Sequence, residues 1–205
     1  MNEFDIKAAG WDLNPMHIER SEAVAKQILE RIPLNLSMSA LEYGAGTGIT
    51  SFLLKDNLRE ITMLDNSAEM VRIMNEKIIS SGVRNLKTLF FDLENSSWTG
   101  QKFDLVMTQM VLHHVVDIKN IIKKFYTALN KGGYLAIADL FTEDGSFHGS
   151  GFEGHKGFDP DKLALKVRSV GFENISHKKC FVIKKQISET VNRHFDVFLL
   201  IANRN

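Results

Sequence analysis

The stretch Leu41–Leu54, LEYGAGTGITSFLL, carries three glycines at alternate positions: Gly44, Gly46 and Gly48. Apolar residues flank the glycines, in SALEY before them and in TSFLL after them, and this pattern predicts a strand, a tight turn and a helix. Glycine adopts backbone angles that other residues avoid and lets a ligand approach the main chain closely. The stretch therefore predicts a ligand-binding loop where a strand meets a helix.

Strand-like and helical segments alternate on both sides of this loop. A helix is predicted at about Ile18–Ile32, and the helix after the fourth strand is predicted to end at Gly132 and Gly133. Almost continuously apolar strands, alternating with helices, are typical of a parallel sheet with both faces covered. Two long closing strands are expected to pair antiparallel. The predicted strands are SALEY, EITMLD, LKTLFFD, FDLVMTQM, YLAIADLF, ISHKKCFVIKK and HFDVFLLIANR.

Composition narrows the functional classes. The chain has 205 residues, with 25 basic and 25 acidic side chains, which predicts one domain and argues against a dedicated nucleic-acid binder. The longest apolar runs are strand-sized, so no membrane span is expected. A single cysteine, Cys180, cannot form an internal disulfide, and no signal peptide is recognisable. We therefore expect a cytoplasmic protein.

The spacing of the loop separates two kinds of ligand. A dinucleotide-binding loop reads G-x-G-x-x-G, whereas this loop reads G-x-G-x-G and has Ile49 where the third glycine would stand. Glu42 lies two residues before the first glycine. Its carboxylate would repel a pyrophosphate and attract an ammonium group. The loop therefore favours a ligand with an amino-acid end.

Two further carboxylates follow the next two strands. Asp65 ends the second strand, where an acidic residue can accept both hydroxyls of a ribose. Asp92 ends the third strand and can accept a hydrogen bond from an exocyclic adenine amine. Ribose, adenine and an ammonium without phosphates together describe S-adenosylmethionine.

Five motifs at strand ends resemble the class I S-adenosylmethionine-dependent methyltransferases, in the small, single-domain form. They are LEYGAGTG, LDNSAEM, FFDLEN, FDLVMTQMVLHHV and LNKGGYLAIADLF. The resemblance implies a Rossmann-like seven-stranded α/β sheet, mainly parallel with an antiparallel last strand and helices on both faces. It also implies roles for the residues at these motifs. The candidate cofactor-binding residues are Trp11, Glu42, Tyr43, Gly44, Ala45, Gly46, Gly48, Asp65, Asn66, Met70, Asp92, Leu93 and Gln109.

Within that set, the resemblance assigns the three glycines to the methionine part of the cofactor, Asp65 to the ribose, and Asp92 and Leu93 to the adenine. Met70 would pack near the adenine, and Gln109 would face the methionine and the transfer region. Trp11 has two open interpretations. Its ring either shields the sulfonium, since a π face suits a cation, or anchors the N-terminus by apolar burial.

Histidines are the candidate general bases. His113 and His114 follow the fourth strand, and the alternative is that they cap and pack the next helix, because many methyl transfers rely on alignment alone. His148 and His155 lie in a glycine-rich segment. Together with Asp139 these histidines have no tight ligand spacing, so no metal site is expected.

We expect a single methyltransferase domain over residues 1–205, with an N-terminal helical cap segment at 1–35 and a substrate lid loop at 142–158. The short extra segments favour a small-molecule acceptor over a protein or a structured RNA, and we expect no nucleic-acid or membrane partner. Two alternatives stay open: a cofactor-binding or scaffold protein without transferase activity, and a nicotinamide-dependent oxidoreductase. The acceptor and the oligomeric state are not encoded in these patterns.

Overall fold

A computed structural model describes residues 3–188 and 190–205 of the chain, and a single sheet is its central element. Seven strands form this sheet. Their bounds are β1 Ser39–Tyr43, β2 Glu60–Asp65, β3 Leu86–Phe90, β4 Phe103–Gln109, β5 Leu129–Leu140, β6 Phe172–Ser188 and β7 Val191–Arg204.

The strand order is β3-β2-β1-β4-β5-β7-β6, and the order reverses at β1. Strands β1 to β5 run parallel, whereas β7 runs antiparallel to both β5 and β6. The predicted seven-stranded sheet with a reversed last strand is therefore confirmed, as is the antiparallel closing pair. In open sheets of this kind, ligands bind at the carboxyl ends of the strands beside the point of reversal.

Helices cover both faces of the sheet, as predicted. One core packs Val24, Ile28 and Met74 against Met63 and Met107. The other packs Phe125 and Val167 of the opposite helices against the sheet. The helices are α1 Glu3–Lys7, α2 Pro15–Arg31, α3 Ile49–Leu54, α4 Ala68–Ser81, α5 Ile118–Ala128 and α6 Pro160–Val170, with short 3₁₀ segments at Ala8–Leu13, Lys55–Asn57 and Leu112–His114.

Two predicted helix ends differ from the structure. Helix α2 begins at Pro15, because the Asn14 side chain accepts a hydrogen bond from the Met16 amide and proline suits the first helical turn. Helix α5 ends at Ala128, so the prediction that it ends at Gly132 and Gly133 is wrong. Leu129 already pairs with Phe103 of β4, and this ladder contact takes the chain out of the helix.

The remaining helix termini follow their sequence signals. Ser67 caps α4 by accepting a hydrogen bond from the Met70 amide, and Asp159 caps α6. Among the helices in residues 3–188 and 190–205, none combines the length and apolar character needed to cross a membrane.

Candidate functional site

A cavity of about 840 Å³ opens at the carboxyl ends of β1, β2 and β4, beside the strand-order reversal. The N-terminal segment, the loop after β5 and the far end of β6 contribute to its walls. Most of the residues that the sequence marked line it. These are Trp11, Glu42, Tyr43, Gly44, Ala45, Gly46, Asp65, Asn66, Met70, Gln109, His113 and His114.

The glycine loop takes backbone angles that require glycine. Gly44 has φ +66° and Gly46 φ +58°. A Cβ on Gly44 would lie 2.4 Å from a methyl carbon of Val111, which is closer than packed carbon atoms approach. The loop therefore holds its main chain against the turn after β4, and it presents backbone rather than side chains to the cavity.

Asp65 joins the glycine loop to the start of α4. Its Oδ2 accepts the Gly46 amide at 2.7 Å, and its Oδ1 accepts the Ser67 amide at 2.8 Å. Burial raises the pKa of this carboxyl, while the two amides act in the opposite direction. Each carboxylate oxygen has a second lone pair, so Asp65 can still accept hydroxyl groups of a ligand from the cavity.

Glu42 is the most strongly perturbed carboxyl of the site. It is 3% exposed and accepts a hydrogen bond from the Ser51 hydroxyl. Burial raises the pKa of Glu42 to about 7, although the hydrogen bonds from Ser51 and Thr50 act against the increase. A cation entering the cavity would favour the ionised form of this group.

Three of the predicted cofactor residues lie outside the lining of the cavity. Gly48 caps α3 with φ +81°, and Leu93 is fully buried in the core. Asp92 accepts hydrogen bonds from the Glu94 and Asn95 amides and from the Asn95 side chain, and these bonds lower its pKa. The assignment of Asp92 and Leu93 to adenine stays a prediction. Glu94, which the sequence did not single out, lines the cavity near them.

The N-terminal segment, residues 3–14, closes one side of the cavity. Asp12 bonds to the Thr47 hydroxyl of the glycine loop and to Lys77 of α4, the latter at 2.7 Å. Asp5 accepts a hydrogen bond from the Ser67 hydroxyl at 2.6 Å. Trp11 lines the cavity and also stacks on His17, with ring centroids 4.1 Å apart. Both interpretations of Trp11, as a shield for a ligand and as an anchor of the N-terminus, therefore stay open.

Two buried polar groups of the cavity wall have unused hydrogen-bonding capacity. Arg20 is 5% exposed, and its Nε has no hydrogen-bond partner in the part of the chain that the structure describes. Burial lowers the pKa of Arg20 to about 10, which keeps the guanidinium charged at neutral pH. Gln109 donates to the Ser21 hydroxyl at 2.8 Å, but its Oε1 is likewise without a partner in residues 3–188 and 190–205. Such groups are typical of a site that a polar ligand completes.

A cluster of histidines lies at another part of the wall. His113 is buried and its Nδ1 lies 2.6 Å from Oδ1 of the buried Asp139. His114 and His148 come close to it, whereas His155 turns away and bonds to the Val115 carbonyl at 3.1 Å. Burial, together with the neighbouring imidazoles, lowers the pKa of both His114 and His148 to about 4. Both rings are therefore neutral at pH 7.

The sequence analysis did not assign Arg20 to the site, although its position in the helix pattern indicated that it would be buried. Arg20 precedes Val24, Ile28 and Ile32 at steps of four residues, so it continues the apolar face of α2. A charged residue on such a face is buried and needs a partner. Other missed residues come from the N-terminal segment and from β6. They include Phe4, Lys7, Asn14, Met16, Ile183, Lys184, Lys185 and Gln186.

Known proteins share this sequence pattern and fold. Residues 16–189 match the model of a protein family described as a methyltransferase domain. An uncharacterized methyltransferase of Schizosaccharomyces pombe is 27% identical over 153 residues, which cover 67% of this chain and 54% of that protein. The chain thus spans about half the length of this curated relative.

Two solved structures are similar over almost the whole chain. One comes from the complex between the Haloferax volcanii Trm112 methyltransferase activator and a methyltransferase; its TM-score is 0.77 at 17% identity, covering 99% of this chain and 98% of that one. The other is the N-methyltransferase NodS from Bradyrhizobium japonicum in complex with S-adenosyl-L-homocysteine. Its TM-score is 0.70 at 16% identity, and the match covers 93% of this chain and 88% of that one. At these identities the two structures show a common fold.

Proposed function

The chain belongs to the methyltransferase-domain family, and from this premise we propose that it transfers a methyl group from S-adenosylmethionine to a small-molecule acceptor. The observation that carries the proposal is one cavity wall that combines the glycine loop with the carboxylates of Glu42 and Asp65. That combination suits a nucleoside with an amino-acid end. It does not suit a dinucleotide, because the carboxylates of Glu42 and Asp65 beside the loop would repel a pyrophosphate.

The unused polar groups of the wall fit the charges of this cofactor. Glu42 would take the ammonium, and the buried guanidinium of Arg20 would take the carboxylate. Asp65 would accept the ribose hydroxyls beside the Gly46 amide. The cofactor supplies an electrophilic methyl group on a sulfonium, and the chain's own contribution is to align an acceptor with that methyl and to exclude water.

The size of the cavity supports a small acceptor. Ligand pockets commonly measure about 300–1,000 Å³, and about 840 Å³ is in the upper part of that range. The space suits one nucleoside cofactor and a compact second molecule. Phe147 and His148, from the predicted lid loop at 142–158, line the cavity and would contact that second molecule.

Titration calorimetry with S-adenosylmethionine and S-adenosylhomocysteine tests the cofactor site. We expect both to bind the wild-type protein, and we expect Asp65→Ala to weaken binding by about 1.5–3 kcal/mol, which is about tenfold to a hundredfold. Asp56→Ala is the matched control and should bind both ligands like the wild-type protein, since Asp56 pairs with Lys55 outside the cavity lining. No binding at high micromolar concentration, or unchanged affinity in the Asp65 variant, would contradict the assignment.

A screen of small-molecule acceptors, with detection of S-adenosylhomocysteine, tests the transfer itself. Release of S-adenosylhomocysteine with one class of acceptor is the expected result. Tight cofactor binding without turnover on any acceptor would instead favour the alternative of a cofactor-binding protein that lacks transferase activity.

A further inference from the structure

The histidine cluster of the cavity wall consists of His113, His114 and His148, and we propose that it binds a divalent transition-metal ion such as zinc. Each residue offers one ligand atom, and these atoms lie within 4.8 Å of one another. The site is additional to the cofactor-binding groups, and the argument for it does not require the proposed methyl transfer.

Three separate features of the fold bring these rings together. His113 and His114 lie in the 3₁₀ turn after β4, and His148 comes from the loop after β5. The His155 amide donates to the His113 carbonyl at 2.8 Å, which ties that loop to the turn. The ring centroid of His148 lies 5.0 Å from the ring centroid of His113 and 5.2 Å from that of His114. The spacing along the chain hid this proximity, so the proposal departs from the expectation of no metal site.

Asp139 supplies the support that metal-binding histidines usually have. Its carboxylate accepts the His113 amide at 3.2 Å and lies 2.6 Å from His113 Nδ1. Asp139 is fully buried, so this contact is shielded from water. The contact selects the tautomer and the orientation of the ring, and it leaves Nε2 for a ligand. A carboxylate behind a histidine is the common outer shell of zinc sites.

The composition of the cluster identifies the kind of ion. Imidazole nitrogens suit Zn²⁺, Cu²⁺, Ni²⁺ and Fe²⁺, whereas Mg²⁺ and Ca²⁺ prefer oxygen ligands. Three protein nitrogens leave a fourth position of a tetrahedral ion open, which is the arrangement of catalytic rather than structural zinc. All three residues line the cavity, so an additional ligand would enter from there.

Aromatic packing is the competing explanation of the cluster. His148 stacks on Phe152 with ring centroids 3.8 Å apart, and His114 contacts Phe4 and Phe152 edge to face. Packing of this kind stabilises a loop and requires no ion. The two explanations differ in a measurable way, because only a metal site takes up one ion per chain with high affinity.

Cobalt is a suitable probe, because its visible absorption reports its coordination. We expect metal-free protein to bind one Co²⁺ per chain with the absorption of a four-coordinate nitrogen site, and Zn²⁺ to displace it. His148→Gln should lower the affinity by more than about a hundredfold, since loss of a ligand exceeds the tenfold to hundredfold effect of an outer-shell change. Asp139→Asn should lower the Co²⁺ affinity only about tenfold to hundredfold and should leave the stoichiometry at one ion per chain.

His155→Gln is the matched control, because His155 lies in the same loop but bonds to the main chain. It should bind Co²⁺ like the wild-type protein, and circular dichroism should show that all variants are folded. Calorimetry with S-adenosylhomocysteine on the same samples reports the cofactor site separately. The metal proposal is overturned if no ion binds stoichiometrically, or if His148→Gln binds as tightly as the wild-type protein, which would indicate an adventitious ion elsewhere.

Discussion

Arg20 is the residue on which cofactor affinity and stability are expected to conflict. A charge that is buried without a full set of partners lowers the stability of the free protein, and a carboxylate that binds it restores the missing contacts. The guanidinium is 5% exposed and Nε has no partner among the residues that the structure describes. Its side chain extends the apolar face of α2, so an unbranched apolar residue would fit the same space.

Arg20→Met should therefore raise the thermal midpoint of the ligand-free protein or leave it unchanged. It should lower the affinity for S-adenosylhomocysteine by about tenfold or more. Differential scanning fluorimetry measures the first effect and calorimetry the second. The control Arg31→Met removes a partly exposed guanidinium that bonds to the Ser176 and Leu199 carbonyls, away from the cavity. Unchanged cofactor affinity in the Arg20 variant would remove this residue from the site.

Glu42 gives the ligand-free protein a particular pH dependence. Its pKa is raised from 4.5 to about 7, so between these values the folded protein binds more protons than the unfolded chain. Stability then falls as pH rises through this window, by about 3 kcal/mol for this group, and levels off above it. Below about pH 4.5 the carboxyl is protonated in both states and the full stability is present.

Urea unfolding of the wild-type protein and Glu42→Gln between pH 4.5 and 8 measures this contribution. The glutamine variant should lose less stability across the window, because it has no proton to release there and can still accept from Ser51. Parallel pH profiles for the two proteins would show that Glu42 titrates normally.

Two carboxylates join the N-terminal segment to the rest of the cavity wall. Asp12 joins residues 3–14 to the glycine loop and to Lys77, and Asp5 joins them to the cap of α4. Asp5 and Asp12 each follow a residue that lines the cavity, Phe4 and Trp11, so their loss should open the cavity without unfolding the sheet. A partly exposed ion pair contributes little to global stability, about 0.2–1 kcal/mol.

Asp12→Asn should speed hydrogen exchange in residues 3–14 and accelerate release of S-adenosylhomocysteine, with only a small change in the urea midpoint. Asp56→Asn is the control, since Asp56 pairs with Lys55 outside the cavity lining. Equal exchange rates in the two variants would mean that Asp12 does not hold the segment closed.

At the scale of the whole molecule, the cavity joins parts of the chain that are distant in sequence. Its walls come from the N-terminal segment, the tips of the parallel strands, the loop after β5 and the end of β6. A ligand that contacts all of these parts binds the folded protein and not the unfolded chain. Cofactor binding should therefore raise global stability and not only local order.

S-adenosylhomocysteine at about 100 times its dissociation constant should raise the free energy of unfolding by about 2.7 kcal/mol. For a chain of this size this predicts a rise in the thermal midpoint of about 5–11 °C. NADH at the same concentration should leave the midpoint unchanged, and Asp65→Ala should reduce the shift. An equal shift with NADH would contradict the interpretation of the glycine loop.

Local patterns were sufficient for most of the elements. The first two strands run from Ser39 to Tyr43 and from Glu60 to Asp65 as predicted, because short apolar runs between turn signals are buried wherever the sheet forms. The start of α6 at Pro160 follows from capping chemistry, which acts within a few residues, whereas α2 begins at Pro15 and not at the predicted Ile18. The end of α5 was mispredicted because a ladder contact from another strand decided it.

The sequence by itself determined the sheet, the glycine loop and the class of ligand, since these depend on periodicity and on residues placed at strand ends. Only the tertiary structure decided that Arg20 faces the cavity and that Asp92 is bonded within its own turn. It also decided that His148 meets His113 with Asp139 behind them. These contacts join residues that strand pairing and loop paths bring together, and no spacing along the chain encodes such distances.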